Sequence, residues 1–430
     1  MRRFSGSPLA VSRTVSRRWS AVLCLVCLLS AGCSVIGPRS LKQARLQYNE
    51  VVKVTSEEEM LLNIVRLRYV DTPSSLQISN IAAQFELLNS LQLTPFFAAS
   101  GAEPNRSFTT VLPQASIGGA DRPTFSLTPL DESEFAKKLF TPLTLDGVIY
   151  LVKTTWPIAT VFRLYLENLN WVPNAQFASG PTPRVAPPHS EFLDGINALQ
   201  LLQDRGLIVF ALEERSETLG GALPAASVTA SNVIDAAKEG KEYRPDPGGL
   251  TWSLYRKTRQ PVMLIDPQAL GTSEMEALTR TFRLKRGLTK YDVTEDGLIP
   301  FPATYPPEGV TKIDLETRSL LQVLFFVSHG VQVPQEHAHR GVVRVTVDEA
   351  GQPFDWRRVT GGLFEVRSAP GTERPPGAHV AVQYKGYWFY IDETDQETKS
   401  TFTLLMEIAR LNLTDKGGTK PVFTLPLGGR

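Results

Sequence analysis

All three cysteines of the chain, Cys24, Cys27 and Cys33, fall within its first 33 residues, so whatever follows must fold without a disulfide or a cysteine-bound metal. Stability then rests on a buried core. Roughly 400 residues come after Cys33, enough for two or so domains of about 100–200 residues each. A cysteine nucleophile is excluded along with the thiols. Beyond this point no apolar run approaches the roughly 18 residues of a spanning helix.

The cysteine-bearing segment has three zones. Residues 1–20 hold Arg2, Arg3, Arg13, Arg17 and Arg18 and no acid, the charge pattern of a leader whose positive end stays in the cytoplasm. Ala21–Leu29 is an apolar core of nine residues, too short for a span of about 20. Leu28-Leu29-Ser30-Ala31-Gly32-Cys33 closes it. This stretch resembles the lipobox of bacterial lipoprotein signal peptides, with Ser30 where Leu is usual. The resemblance implies cleavage before Cys33 and acylation of its thiol. The alternative is an ordinary signal cut at Ala31 or Gly32, since small residues serve that cleavage too. Ser16-Arg17-Arg18-Trp19 matches a twin-arginine signal only in part, because Ser20-Ala21 follow. In Gram-negative lipoproteins an Asp after the acylated cysteine retains the protein in the inner membrane. Here Ser34 stands there, which implies the outer membrane, facing the periplasm unless a later step turns it to the cell surface. Each buried acyl methylene contributes about 0.8 kcal/mol, so several chains on one cysteine form a durable anchor. Loss of the leader's five arginines turns the formal net charge from +1 to about −4, and a mildly acidic body has no electrostatic footprint for nucleic acid.

Behind the leader (1–32), residues 33–54 form a tether with some helical character at Leu41–Tyr48. Ser56, with Glu59 three residues on, is predicted to open a helix through a capping box, and Glu57-Glu58-Glu59 suits the positive end of its dipole. Met60, Ile64 and Leu67 make one apolar stripe and Leu61 and Val65 another, so this helix is expected to be buried. Asn63, Arg66 and Arg68 then need partners. Strand signals follow at Leu76–Ile78, Phe85–Leu87, Ser107–Val111 and Thr124–Leu127, with Gly118-Gly119 and Asp121-Arg122-Pro123 as turns. Helices return at Glu134–Phe140, Leu145–Lys153 and Ile158–Leu169. Residues 55–172 thus form an N-terminal part, and the prolines at 173, 181, 183, 187 and 188 mark residues 173–189 as a linker.

Residues 190–430 form a C-terminal part. Its helices are expected at Glu191–Gln203, Ser273–Phe282, Glu316–Val327 and Gln396–Leu411, and its strands at Leu207–Glu213, Thr251–Tyr255, Val262–Ile265, Val342–Val347 and Val422–Leu425. A hairpin joins His379–Tyr384 to Tyr387–Asp392 about Lys385-Gly386. Glu316-Thr317-Arg318-Ser319 and Glu397-Thr398-Lys399-Ser400 echo each other ahead of apolar helices. The expected class is α+β, with mixed antiparallel strands and helices in two closely packed parts behind an N-terminal lipid tether.

Three segments carry a wider resemblance: Leu61-Leu62-Asn63-Ile64-Val65-Arg66-Leu67-Arg68-Tyr69 with Asp71 and Pro73; Arg122-Pro123-Thr124-Phe125 through Thr128-Pro129-Leu130; and Tyr387-Trp388-Phe389-Tyr390-Ile391-Asp392. The chain resembles a family of proteobacterial lipoproteins of this length to which no activity is attached. The resemblance implies an address and no chemistry.

Candidate chemistry is sparse. Glu336-His337-Ala338-His339 is the one histidine cluster, with His329 seven residues earlier. On a strand His337 and His339 would project from one face and share a metal; satisfied loop histidines are the alternative, because the helical zinc signature needs a spacing of four. Asp392, Glu393 and Asp395 are placed to cap the following helix, with paired-carboxylate chemistry as the second option. Tyr387, Trp388 and Tyr390 concentrate aromatic surface as glycan sites do. Strand alternation puts Tyr387 and Phe389 on one face and Trp388 and Tyr390 on the other, which a strand covered on both sides would also show. No Gly-x-Ser-x-Gly elbow, phosphate-cradling loop or dinucleotide fingerprint is present, and no cofactor is expected. Three functions fit in order: a non-enzymatic envelope component with protein partners, a lipid-anchored glycan or peptidoglycan binder, and a lipid-anchored hydrolase.

Overall fold

The computed structural model describes residues 46–73, 76–98, 108–129, 137, 139–154, 156–295, 297–298, 309–413 and 423–426. The leader, Cys33, Ser34 and most of the tether lie outside them, as does most of the helix expected at Glu134–Phe140. Helix α1 covers residues 46–68. It already runs through Ser56, whose Oγ donates to the carbonyl of Val52 at 2.7 Å within the helix. The capping box expected at Ser56 is therefore not a helix start.

The chain divides into two units. The first comprises Met1–Glu57, Leu76–Pro129 and Gly417–Arg430. Strands β1 (Leu76–Ala98) and β2 (Phe108–Pro129) pair antiparallel from Leu76↔Pro129 to Ala98↔Phe108, and strand Phe423–Pro426 joins the other edge of β2. Gly118 and Gly119, expected as a turn, sit inside β2 opposite Leu88 and Leu87, and Pro123 lies opposite Ala83. A continuous partner strand overrides local turn preference here, because ladder hydrogen bonds extend along the whole segment.

The second unit comprises Glu58–Ser75 and Leu130–Lys416 and is α+β. Helices α2 (Leu145–Lys153) and α3 (Ile158–Tyr165) lead into β3 (Leu166–Leu169) and β4 (Val172–Pro173). After α4 (Ser190–Asp204) come β5 (Ile208–Pro224), α5 (Ala230–Lys238), β6 (Lys241–Pro245) and β7 (Thr251–Ile265). Helix α6 (Ser273–Thr281), strands β8 (Lys290–Thr294) and β9 (Lys312–Thr317) and helix α7 (Leu320–Ser328) follow. These strands form one sheet in the order β4-β3-β9-β8-β7-β5, with β6 also on β7. Every pairing in it is antiparallel except β8 with β9. Short helices α8 (Gln335–His339) and α9 (Arg357–Thr360) precede a second sheet of β10 (Arg367–Pro370), β12 (Tyr387–Asp392) and β11 (Ala378–Tyr384), in that spatial order. Helix α10 (Gln396–Leu413) comes next.

Several expectations shift for identifiable reasons. The helix expected over Ile158–Leu169 stops at Tyr165, because Leu166 and Leu169 pair with Thr317 and Leu315 of β9. Asn170 and Trp171 then take left-handed backbone, φ 48° and 65°, to turn the chain into β4. The buried Asn170 amide is held by the carbonyl of Phe282 at 2.8 Å and the backbone N–H of Asp314 at 2.7 Å. Glu316 and Thr317 belong to β9, and α7 starts one turn later at a Ser319–Gln322 capping box. Their echo Glu397-Thr398 lies inside α10, so the two tetrapeptides do not mark a repeated unit. Val342–Val347 forms only isolated bridges, from Val347 to Val185 and to Pro353. The proline-rich stretch 173–189 carries buried side chains at Asn174, Ala175, Ala178 and Thr182, and packs as part of the second unit rather than spanning between units.

The core of this unit is aromatic and aliphatic. Phe162 meets Phe210 edge-on at 5.7 Å, and Phe192 meets Phe282 at 6.1 Å. Gly195 lets α4 reach Phe282 closely, since a Cβ there would lie 2.5 Å from the ring. Among these apolar groups sits Arg318, with 0% of its surface exposed. Its Nη1 donates to the carbonyls of Arg163 at 2.9 Å and Leu164 at 3.2 Å, its Nε to Ser179 Oγ at 2.9 Å, and its Nη2 to the Asn174 carbonyl. The guanidinium also lies 4.0 Å over the Phe326 ring. Burial pulls its pKa down to about 9, which still leaves it charged at neutral pH. Arg318→Leu is expected to orphan these acceptors and cost about 3 kcal/mol or more. Arg318→Lys, with a point charge in place of a fork, should recover only part of that. Urea midpoints of the two variants check both expectations.

Candidate functional site

Helix α1 presents its apolar stripe as expected. Leu61, Ile64 and Val65 are fully buried and Leu67 nearly so. The polar residues among them find partners: Arg66 Nη1 donates to Asn63 Oδ1 at 3.4 Å, and Arg68 Nη1 to Thr182 Oγ1 at 2.7 Å. The helix ends at Arg68, and the φ of 56° at Val70 lets the Asp71 N–H return to the Arg66 carbonyl at 2.9 Å. That turn sets Tyr69 at the head of an aromatic cluster.

Tyr69 OH and His337 Nδ1 share a buried hydrogen bond of 2.7 Å. The Tyr69 ring meets Tyr384 and Phe389 edge-on at 5.3 and 6.0 Å, and His337 meets Tyr387 at 4.9 Å. Tyr384 OH donates to Asp71 Oδ2 at 2.6 Å and Tyr387 OH to Glu336 Oε2 at 3.2 Å. Burial pushes the Tyr69 phenol up to about 12, and the Tyr384 hydroxyl holds the Asp71 carboxyl below its usual range. The hairpin is thus fastened to the end of α1. Its turn is the one expected, with Lys385 and Gly386 both at positive φ, 46° and 84°, as a two-residue hairpin of right-handed twist requires.

The alternation along β12 also holds. Phe389 and Ile391 are buried in the core, and Tyr387, half-buried, lies on the same strand face against His337. Trp388 and Tyr390 lie on the opposite strand face and are half-buried. Trp388 lines a groove of about 460 Å³ shared with Glu58, Glu59 and Arg66 of α1, Arg374, and Gln383 of β11. Its indole Nε1 is shielded from solvent and has no hydrogen-bond partner. Arg374 Nη2 donates to the carbonyls of Ala378 at 3.3 Å and His379 at 3.2 Å, which positions its guanidinium beside the strand. An indole flanked by carboxylates, guanidinium groups and an amide offers a stacking face with donors and acceptors around it. The groove residues on α1 recur at helical spacing, but their pairing with a hairpin some 300 residues away had no sequence signal.

The other candidates are placed differently from expectation or have structural duties. His337 and His339 lie on α8 rather than a strand. Two residues apart on a helix are rotated by about 200°, so His337 is buried against Tyr69 while His339 is exposed. They do not converge as a metal pair, and no group of three or more His, Cys, Asp or Glu that could hold a metal occurs among the described residues. Asp392 accepts from the Thr394 N–H at 2.9 Å, Asp395 caps Thr398 at 3.0 Å, and Glu393 pairs with Lys399 and with His379 at 3.0 Å. Of the triplet, Asp395 thus takes the expected capping role, while Asp392 holds a turn and Glu393 forms ion pairs. Comparison of the chain with protein-family models, curated proteins and solved structures finds no match.

The two histidines should therefore respond unequally to substitution. His337→Ala is expected to cost about 1–3 kcal/mol by orphaning the Tyr69 hydroxyl and opening the cluster, and His339→Ala to stay within about 0.5 kcal/mol. Zinc should leave the melting temperature of the parent and of both variants unchanged. Thermal melts with and without zinc provide the check.

Proposed function

We propose that this chain is a lipid-anchored outer-membrane lipoprotein, facing the periplasm, whose folded body serves as a non-enzymatic component of a cell-envelope complex. The single observation that carries the reading is the sequence Leu29-Ser30-Ala31-Gly32-Cys33-Ser34 behind a nine-residue apolar core and an acid-free, arginine-bearing leader. Supporting it, His337, Glu393 and Asp395 are engaged in the core, an ion pair and a helix cap. Among the described residues no helix is long and apolar enough to cross a membrane. Its partners are the bilayer, through the lipid, and neighbouring envelope proteins. Labelled fatty acid is expected to attach to the parent and not to Cys33→Ser, which should leave the membrane fraction, while Ser34→Asp should move the protein to the inner membrane. A Cys33→Ser form that fractionates like the parent refutes the reading.

A second reading is favoured by the groove beside Trp388: the body binds a glycan, peptidoglycan included, through the indole face and the polar groups around it. Stacking of a sugar ring on an aromatic face is driven by apolar contact, with the rim supplying hydrogen bonds. Trp388→Ala should then lower retention on insoluble peptidoglycan about tenfold, while Tyr387→Phe, on the inward face, leaves it unchanged. Equal retention of the parent and Trp388→Ala sinks the glycan reading and leaves the lipid anchor untouched.

A further inference from the structure

A second recess in the same unit has a different character. It is a half-open recess of about 310 Å³, and its lining includes Arg68, His329, Trp356, Asp355, Arg357 and Glu365. Arg68 is 6% exposed and His329 2%. Three buried nitrogens of these lining residues have no hydrogen-bond partner: Arg68 Nε, His329 Nε2 and Trp356 Nε1. Nearly all buried polar side-chain atoms in folded proteins are paired, so three orphans around one cavity demand an account.

Their chemistry can be assigned. Arg68 uses Nη1 on Thr182 Oγ1 and, at 3.4 Å, on the Arg344 carbonyl, and among the described residues no carboxylate forms an ion pair with it. Burial lowers its pKa to about 10, so it remains a cation at neutral pH. His329 Nδ1 lies 2.7 Å from the Phe325 carbonyl and 3.3 Å from that of Phe326, both acceptors, so the ring proton is on Nδ1. Nε2 is then a lone pair. Burial, with Arg68 nearby, pulls the imidazole pKa down to about 3, which keeps the ring neutral. The His329 and Trp356 rings are in contact, with centroids 4.1 Å apart and planes tilted by 40°. Asp355 is matched by Arg357, whose Nε and Nη2 reach its oxygens at 3.0 and 2.9 Å. Glu365 adds one further acidic side chain to the lining.

The residues around the recess thus carry two buried donors without partners, one of them on a cation that no carboxylate ion-pairs among the described residues, and one buried acceptor. A bare anion satisfies the donors and leaves the His329 lone pair unmet; a neutral polyol leaves the Arg68 charge unmet. We propose that this cavity binds a small carboxylate that carries its own hydrogen-bond donor, with its anionic oxygens on Arg68 and Trp356 and its donor on His329 Nε2. A hydroxyl and an ammonium both meet that description, and the acidic side chain of Glu365 favours the ammonium. At about 30 Å³ per water-sized volume, 310 Å³ accommodates a molecule of several heavy atoms. The inference is independent of the lipid anchor and of the Trp388 groove.

The experiment uses the full chain in detergent and four probes: alanine, lactate, propionate and inorganic phosphate. Calorimetry should show saturable binding of alanine and lactate, with propionate, which lacks the second donor, weaker by about tenfold or more. Trp356→Phe keeps the ring and removes the N–H, so it should fold like the parent and weaken alanine or lactate about tenfold. The indole N–H resonance that is lost in this variant should shift on ligand addition in the parent. Arg68→Gln should abolish binding. Alanine bound more tightly than lactate identifies the donor as an ammonium, and the reverse order as a hydroxyl. The proposal is overturned if neither binds, if propionate or phosphate binds as well as both, or if Trp356→Phe binds like the parent.

Discussion

The second unit is organised around a buried positive charge. Arg318 arrives at the junction between β9 and α7, and its fork gathers the carbonyls that end α3, the carbonyl of Asn174 and the hydroxyl of Ser179. Its own backbone closes the junction, with the Arg318 N–H donating to the Tyr165 carbonyl at 2.7 Å and the Leu143 N–H to the Arg318 carbonyl at 3.1 Å. Among the described residues no carboxylate forms an ion pair with this buried guanidinium, and carbonyl dipoles replace its water. The geometry demanded by a planar fork fixes where the helix must stop and the strand begin.

That constraint explains why the proline-rich stretch is packed rather than loose. Asn174 and Ser179 must stand within hydrogen-bond reach of Arg318, and Asn174 also donates to the Arg163 and Leu166 carbonyls at 2.8 and 2.7 Å. Prolines in this stretch restrict the backbone and reduce the entropy lost on ordering it. Thr182 in turn supplies the partner of Arg68. A segment whose composition speaks for a spacer is thus the wall against which two buried arginines are held.

Helix α1 is legible in the sequence to an unusual degree. Its double apolar stripe required burial, and burial required partners for Asn63, Arg66 and Arg68, which the structure supplies. The hairpin about Lys385-Gly386 was equally plain, because its two-residue turn and the alternation along β12 are local properties. Elements that depend on distant partners were not. Leu166–Leu169 continues an apolar helical pattern yet becomes a strand once β9 lies beside it, and Gly118-Gly119 disappears into a long ladder once β1 does. The histidine cluster failed for a related reason: a spacing of two converges on a strand and diverges on a helix, and the choice between them was made by the surrounding chain.

By itself the sequence determined the α+β class, the absence of thiol chemistry beyond residue 33, the burial of α1 and the hairpin that carries Trp388. Each follows from composition or from a period of 2 or 3.6 residues, which are properties of neighbours along the chain. Only the tertiary structure decided which polar groups meet. Arg68 precedes His329 and Trp356 by more than 250 residues and looks unrelated to them in one dimension, and the three side chains come to line one recess only when folding brings the helix end to them. The same holds for Trp388, whose neighbours across the groove come from the opposite end of the chain. Local periodicity selects elements, but the free energy of a buried polar group depends on what lies across from it, and that is known only after the core has closed.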